Sequence, residues 1–364
     1  MVFVDTYDQA RSHFLLQAES AGADVECYQH PTETGPDDEG LFIDTAYLGM
    51  PDPKRLLIVI SGTHGPEGFT GSALQSEWLS NPPDITDDAG ILFVHAANPF
   101  GFAHKSRTNE DNIDLNRNFV DHTVLRPSND LQREMQALFA PGLLTVSDLD
   151  GLGQELFAVV ARHDIKQVTN AASAGQYTHD QGLNYGGAAP AWSNDVLRGI
   201  VRRHAASVER AVFIDWHVGL GPFGEPFFLC FNEPDEEAHK LVRHWCEEGM
   251  LDSSTGFGDA GERPEYVGIA VQGLAEELPP SATSVKLVVE FGTYDNITML
   301  GALMADRWLR FAAASPLSED DHDLKKYVID KFYPKSDDWR ASVLRHGANI
   351  HSQMLAGLQS WEIA

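Results

Sequence analysis

LLIVISGTHGPEG, residues 56–68, is the stretch on which the reading of this chain turns. Leu56 to Ile60 are apolar without alternation, the pattern of a strand covered on both faces. A glycine-bracketed turn then carries His64 and Glu67, and a helical pattern begins near Gly68. Open α/β sheets place their chemistry there, in the crevice beyond the carboxyl ends of the strands. A neutral imidazole with a carboxylate suits Zn²⁺, which in catalytic sites takes three protein ligands and keeps one position for water.

Spacing alone does not select this pair. His-x-x-Glu occurs at His30/Glu33, His64/Glu67 and His244/Glu247. The 15 histidines and 54 acidic residues of the chain predict about two His-x-x-acid matches by chance. His30/Glu33 falls in HPTETGPDDEG (30–40), which reads as a loop. His244/Glu247 lies in the helical stretch EEAHKLVRHWCEEGM, where such pairs form a solvated face. The strand–turn–helix setting singles out His64 and Glu67.

Working outward, ILFVHAA (91–97), AVFIDWHVG (211–219), PFFLCFN (226–232) and VKLVVEFG (285–292) read as further strands. Helical patterns open the chain and occupy roughly 68–80, 129–140, 153–163 and 195–209. This alternation implies a mostly parallel sheet between helix layers, and without a linker the reading is one domain over residues 1–364. NPFGFAHKSRTNEDNIDLNRNF (98–119) reads as a long polar loop, a kind that is usually functional. A Gly/Tyr-rich segment at 174–194 reads as a second loop at the site.

Composition narrows the function classes. Lys+Arg 26 against Asp+Glu 54 gives a net charge of −28, which argues against nucleic-acid or anionic-membrane partners. Cys27, Cys230 and Cys246 show no CxxC spacing, which favours a reducing cytoplasm over a disulfide framework. The start lacks a basic region followed by an apolar core, and no run of ~18 apolar residues predicts a membrane span. Self-association is left open.

Other residues join His64 and Glu67 as candidates. His217 ends its strand as a third ligand, with Asp215 two residues earlier on the same face as a partner for its second ring nitrogen. Glu290 is a carboxylate in an otherwise apolar strand, costly unless coordinated, paired or tuned as a general base. Arg107, Asn116 and Arg117 in the 98–119 segment could clamp a carboxylate or an oxyanion. No G-x-S-x-G elbow, phosphate loop or dinucleotide fingerprint occurs.

In this order, His64-x-x-Glu67, Arg107, Asn116-Arg117, His217 and Glu290 resemble the zinc carboxypeptidases of the carboxypeptidase A type. SGTHGPEG, LNRNF, IDWHVGLG and VVEFGTY mark the likeness to an uncharacterised bacterial branch, over roughly residues 50 to 300. The resemblance implies a three-layer α/β/α fold with a mixed, mostly parallel eight-stranded sheet. It implies one Zn²⁺ per chain held by His64, Glu67 and His217, Glu290 as general base and Arg107 on the oxyanion. Asn116 and Arg117 would hold a substrate carboxylate, and Tyr266 in RPEYVGIAVQG would be the capping tyrosine. Glu276 or Glu277 in QGLAEEL would favour a basic leaving residue. The implied substrate is a small peptide or, alternatively, an N-acyl amino acid. A metal-binding scaffold without catalysis would need neither Glu290 nor Arg107.

Overall fold

A computed structural model describes residues 2–246, 250–251, 263–313 and 315–363. The strands are β1 (Asp24–Thr34), β2 (Gly40–Gly49), β3 (Arg55–Ile60), β4 (Ala89–His95), β5 (Arg210–Phe223), β6 (Pro226–Cys230) and β7 (Thr283–Gly292). They form one sheet in the order β1-β2-β4-β3-β5-β7-β6. The four central strands, β4-β3-β5-β7, run parallel, and the outer pairings are antiparallel.

The described residues form seven strands where the resemblance implied eight. Beyond β6 stands only an isolated bridge between Phe228 and Leu251. The stretch 30–40, read as a loop, instead completes a hairpin. β1 runs through His30 and Pro31 to Thr34 and pairs with β2. Proline is tolerated there because β1 is an edge strand.

Central strands are apolar throughout because each face meets its own core. Leu57 and Val59 pack with Ile91, Phe93, Ile214 and Trp216, under the helices Tyr7–Ser20, Gly68–Ser80 and Asp337–Ser360. Leu56, Ile58 and Ile60 pack with Leu92, Val94 and Phe213 on the opposite face, under Trp192–His204 and Ala270–Ala275. Each such side chain stabilises the fold by about 1.5–3 kcal/mol when fully buried. A third cluster joins the helices Asp130–Leu138 and Leu152–Val160 to Asn296–Phe311 and Glu319–Phe332. Among the described residues no helix is long and apolar enough to cross a membrane.

This topology fixes where the site opens. From β3 the chain crosses to β4 on one side, and β5 later pairs on the other. That reversal leaves a crevice beyond the carboxyl ends of β3 and β5, as in other open α/β sheets.

Candidate metal centre

The turn after β3 depends on glycine. Gly62 has φ +70°, and a Cβ on Gly65 would lie 2.0 Å from the carbonyl oxygen of Gly101. Backbones can therefore approach closely, and the Gly68 N–H donates to the His64 carbonyl at 3.2 Å to start the helix that presents Glu67. On the neighbouring strand, Ile60 lies in register with Asp215, which brings His217 beside this turn. His217 is in turn the register partner of Glu290 on β7.

Three ligand-type side chains converge, all buried. His64 Nδ1 lies 3.0 Å from Glu67 Oε1, His217 Nδ1 lies 3.1 Å from Glu67 Oε2, and the two Nδ1 atoms are 3.1 Å apart. Each ring turns its other nitrogen to a carboxylate: His64 Nε2 is 2.9 Å from Asp114 Oδ1, and His217 Nε2 is 2.9 Å from Asp215 Oδ2. In the neutral ring a carboxylate oxygen beside Nε2 favours the proton there and turns the Nδ1 lone pair inward, where a proton or a metal ion can meet it. Two lone pairs and a carboxylate aimed at one point repel one another unless a cation sits among them. The residues present therefore fit a divalent metal of the imidazole-and-carboxylate class, of which Zn²⁺ is the common case.

Charge in the cluster follows the same geometry. Burial works against the charged form of His217, but Asp215 and Glu67 hold its pKa well above the usual histidine value. Burial likewise works against the Glu67 carboxylate, and the adjoining His64 and His217 keep it below the ordinary range. The Val218 N–H also donates to Glu67 Oε2 at 2.9 Å. Glu290 differs. Enclosure pushes its carboxyl up to about 7, with His217 opposing that rise and Glu67 adding to it, and the Leu220 N–H reaches its Oε2 at 3.4 Å.

Asp114 escaped the sequence reading, yet it joins two parts of the site. Its Oδ1 accepts from His64 and from the Asn116 N–H at 2.9 Å, while its Oδ2 accepts from Arg107 Nη2 at 3.1 Å. Arg107 Nη1 also donates to Glu67 Oε1 at 3.2 Å. The available signal was its place in DLNR, where an Asp caps the short helical turn Leu115–Arg117 that carries Asn116 and Arg117.

The 98–119 segment is thus more ordered than a loop. Besides this turn it contains a short helix, Pro99–His104, with Asn98 as cap and proline in its first turn. The 174–194 segment braces it. The Tyr185 carbonyl accepts the Asp114 N–H at 2.8 Å, Tyr177 Oη donates to the Arg117 carbonyl at 2.8 Å, and Asn118 Nδ2 donates to Gly186 and Ala189.

Eight of the residues singled out for the site line one cavity of about 150 Å³: His64, Glu67, Arg107, Asn116, Arg117, His217, Tyr266 and Glu290. Asn116 Oδ1 accepts from the Ala270 N–H at 2.8 Å, which leaves the Nδ2 hydrogens as the group it offers a ligand. Arg117 donates to the carbonyls of Asn116 and Ser173, and its guanidinium lies 4.9 Å from the Tyr266 ring centre. Two of its five N–H groups remain for another acceptor.

Glu276 and Glu277 are not in this cavity. Glu277 pairs with Arg198 at 2.7 Å and Arg202 at 2.6 Å, and Glu276 reaches Arg198 at 3.4 Å. Among the described residues the cavity wall instead presents Leu229, Ile269 and Val288, and neither Glu276 nor Glu277 supplies the expected acid for a basic leaving residue. Of the other His-x-x-Glu pairs, His30 lies on β1 and accepts from the Glu33 N–H at 3.0 Å. His244 lies on the helix Glu237–Trp245, and Glu247 is outside the described residues.

Comparison with known proteins places the chain as follows. A family model described as Protein of unknown function (DUF2817) matches residues 3–346. Among solved structures the chain is similar to the carboxypeptidase A from Helicoverpa armigera, with 12% identity, 96% of this chain and 75% of that chain covered, and a TM-score of 0.45. It is similar to a metallo-carboxypeptidase from Burkholderia cenocepacia, with 13% identity, coverage of 97% and 69%, and a TM-score of 0.46. It is also similar to bovine thrombin-activatable fibrinolysis inhibitor, solved in complex with tick carboxypeptidase inhibitor, with 10% identity, coverage of 94% and 98%, and a TM-score of 0.44. No curated protein matches the sequence.

Proposed function

The chain belongs to the DUF2817 family, a kinship that assigns no chemistry, and from the site itself we propose a zinc-dependent, carboxypeptidase-like hydrolase of amide bonds. One observation carries the reading. Two imidazoles, each backed by its own carboxylate, converge with Glu67 in a cavity that also holds the Glu290 carboxylate and the half-buried Arg107. A scaffold that only bound metal would need the first group and not the second.

His64, Glu67 and His217 would hold the ion, one per chain, and residues 1–364 are taken as one catalytic domain. Zinc, when bound, supplies Lewis acidity and lowers the pKa of water towards neutrality. Glu290 accepts the proton of the attacking water and returns it to the leaving amine nitrogen. A carboxyl near 7 suits both transfers at neutral pH, and the Leu220 N–H fixes one of its oxygens. Arg107 donates to the oxyanion that develops on the scissile carbonyl.

Asn116 and Arg117 bind the free carboxylate of the substrate, and Tyr266 closes the cavity against Arg117. The apolar wall of Leu229, Ile269 and Val288 then receives an uncharged side chain. A small peptide and an N-acyl amino acid share the required feature, a carboxylate beside a scissile amide. A cavity of about 150 Å³ is small beside the ~300–1,000 Å³ of pockets for drug-sized ligands, which favours short substrates of either kind.

The test is release of free amino acid from a panel of dipeptides and N-acyl amino acids by zinc-loaded protein. We expect turnover by the wild type and a loss of about 10²–10⁴-fold in kcat for Glu290→Gln at unchanged metal content. Equal rates for the two proteins would sink the assignment of Glu290 and, with it, this mechanism.

A further inference from the structure

We propose that Asp306 is a positioning residue for Arg107, holding the main chain from which the guanidinium reaches the oxyanion; this rests on the hydrolase reading above. Asp306 lies on the helix Asn296–Phe311 and is buried. Its Oδ2 accepts the Arg107 N–H at 2.9 Å and the Ser106 hydroxyl at 3.1 Å. A buried carboxylate costs stability unless its hydrogen bonds repay the lost hydration. Here both recorded bonds go to the residue proposed for the oxyanion and its immediate neighbour.

The same helix grips the chain on the far side of Arg107. One turn beyond Asp306, Arg310 donates to Thr108 Oγ1 at 3.2 Å and also to the Glu110 carbonyl. The Arg107 carbonyl accepts from Gly65 N–H at 3.4 Å and Asn98 Nδ2 at 3.3 Å, which ties it to the turn bearing His64. Main-chain donor and acceptor of Arg107 are therefore both held, one by a distant helix and one by the metal-ligand turn. The helix also presents Met299, Leu300 and Leu303 to the cavity. Asp306 thus links a wall of the substrate cavity to the aim of Arg107. A displacement of about 1 Å at a group that stabilises the transition state is enough to cost a hundredfold in rate.

A double-mutant cycle separates positioning from general structure. Asp306→Ala, Asp306→Asn, Arg107→Ala and the Asp306→Ala/Arg107→Ala pair are compared for kcat, KM, zinc content and Tm on the best substrate of the panel. Asp306→Ala is expected to lower kcat by about 10–100-fold with KM and zinc content unchanged. Asp306→Asn, which keeps an acceptor oxygen, recovers most of that loss. In the Arg107→Ala background, Asp306→Ala costs less than about twofold further, because there is no guanidinium left to aim. Additive losses, a parallel fall in zinc content, or wild-type kcat in Asp306→Ala would overturn the proposal. Inactivity of wild-type protein on every substrate overturns the hydrolase reading itself and this role with it, an outcome distinct from an active wild type with an indifferent Asp306.

Discussion

His64 and His217 can be set beside His95 and His351. All four are at most 3% exposed, yet their polar surroundings differ. His95 stacks on Phe14 at 4.5 Å and its Nε2 meets the Ser72 hydroxyl, while His351 stacks on Trp78 at 4.0 Å. Burial alone pushes His351 down to about 3 and chiefly accounts for His95 at about 4, so both are neutral. His95 does have a carboxylate nearby, since Asp44 is its register partner on β2. That carboxylate is already engaged by Arg11, at 2.7 and 3.0 Å. At the cavity Asp114 and Asp215 instead address the imidazoles directly, and His217 is held well above its usual value despite equal burial. What faces the second ring nitrogen, not burial, separates these core histidines from the candidate metal ligands.

The sharpest way to break this contrast is to remove a backing carboxylate. Asp215→Asn should weaken zinc binding by about 10–100-fold, measured by competition with a chromophoric chelator, while the fold remains intact. Thr63 Oγ1, which donates to Asp215 Oδ1 at 2.8 Å, would still have an acceptor in the variant. An unchanged affinity would show that the carboxylates are bystanders.

A different measurement tests the other pair. His95 and His351 have folded-state pKa values below the unfolded value, so the unfolded chain binds more protons once the pH falls under about 6.5. Their contribution is fully present above that point and is lost as the pH drops towards about 4 for His95 and about 3 for His351. Each histidine adds a slope of about 1.4 kcal/mol per pH unit within its window. His351→Phe should flatten the stability curve between pH 6.5 and 4 by about that amount, read from urea unfolding at several pH values. A variant whose curve parallels the wild type would mean that His351 is already charged in the folded state.

Much of this was legible in the sequence, for identifiable reasons. β3, β5 and β7 are largely apolar on both faces, so their pattern was clear; His64 follows β3 and Glu290 stands near the end of β7, whereas His217, expected to end its strand, lies midway along β5, which runs on to Phe223. The β1–β2 hairpin was hidden because β1 is a mostly exposed edge strand with a proline inside it. The long polar segment concealed a helix and a capped turn because its caps, Asn98 and Asp114, look like loop residues until their partners are placed. Glu277 misled because its partners, Arg198 and Arg202, lie more than 70 positions earlier. Asp306 was invisible for the same cause, being 199 residues from the amide it accepts. Local pattern reveals a strand end, but only the fold tells which distant charge answers it.

The central claim is that the carboxylate-backed pair and Glu67 hold a catalytic metal, and metal content tests it most directly. Purified wild type and His217→Ala are loaded with zinc, desalted and measured by mass spectrometry. The account predicts about one zinc per chain in the wild type and its loss in the variant. Wild-type protein that retains no metal after loading, or a variant that retains as much as the wild type, would contradict it.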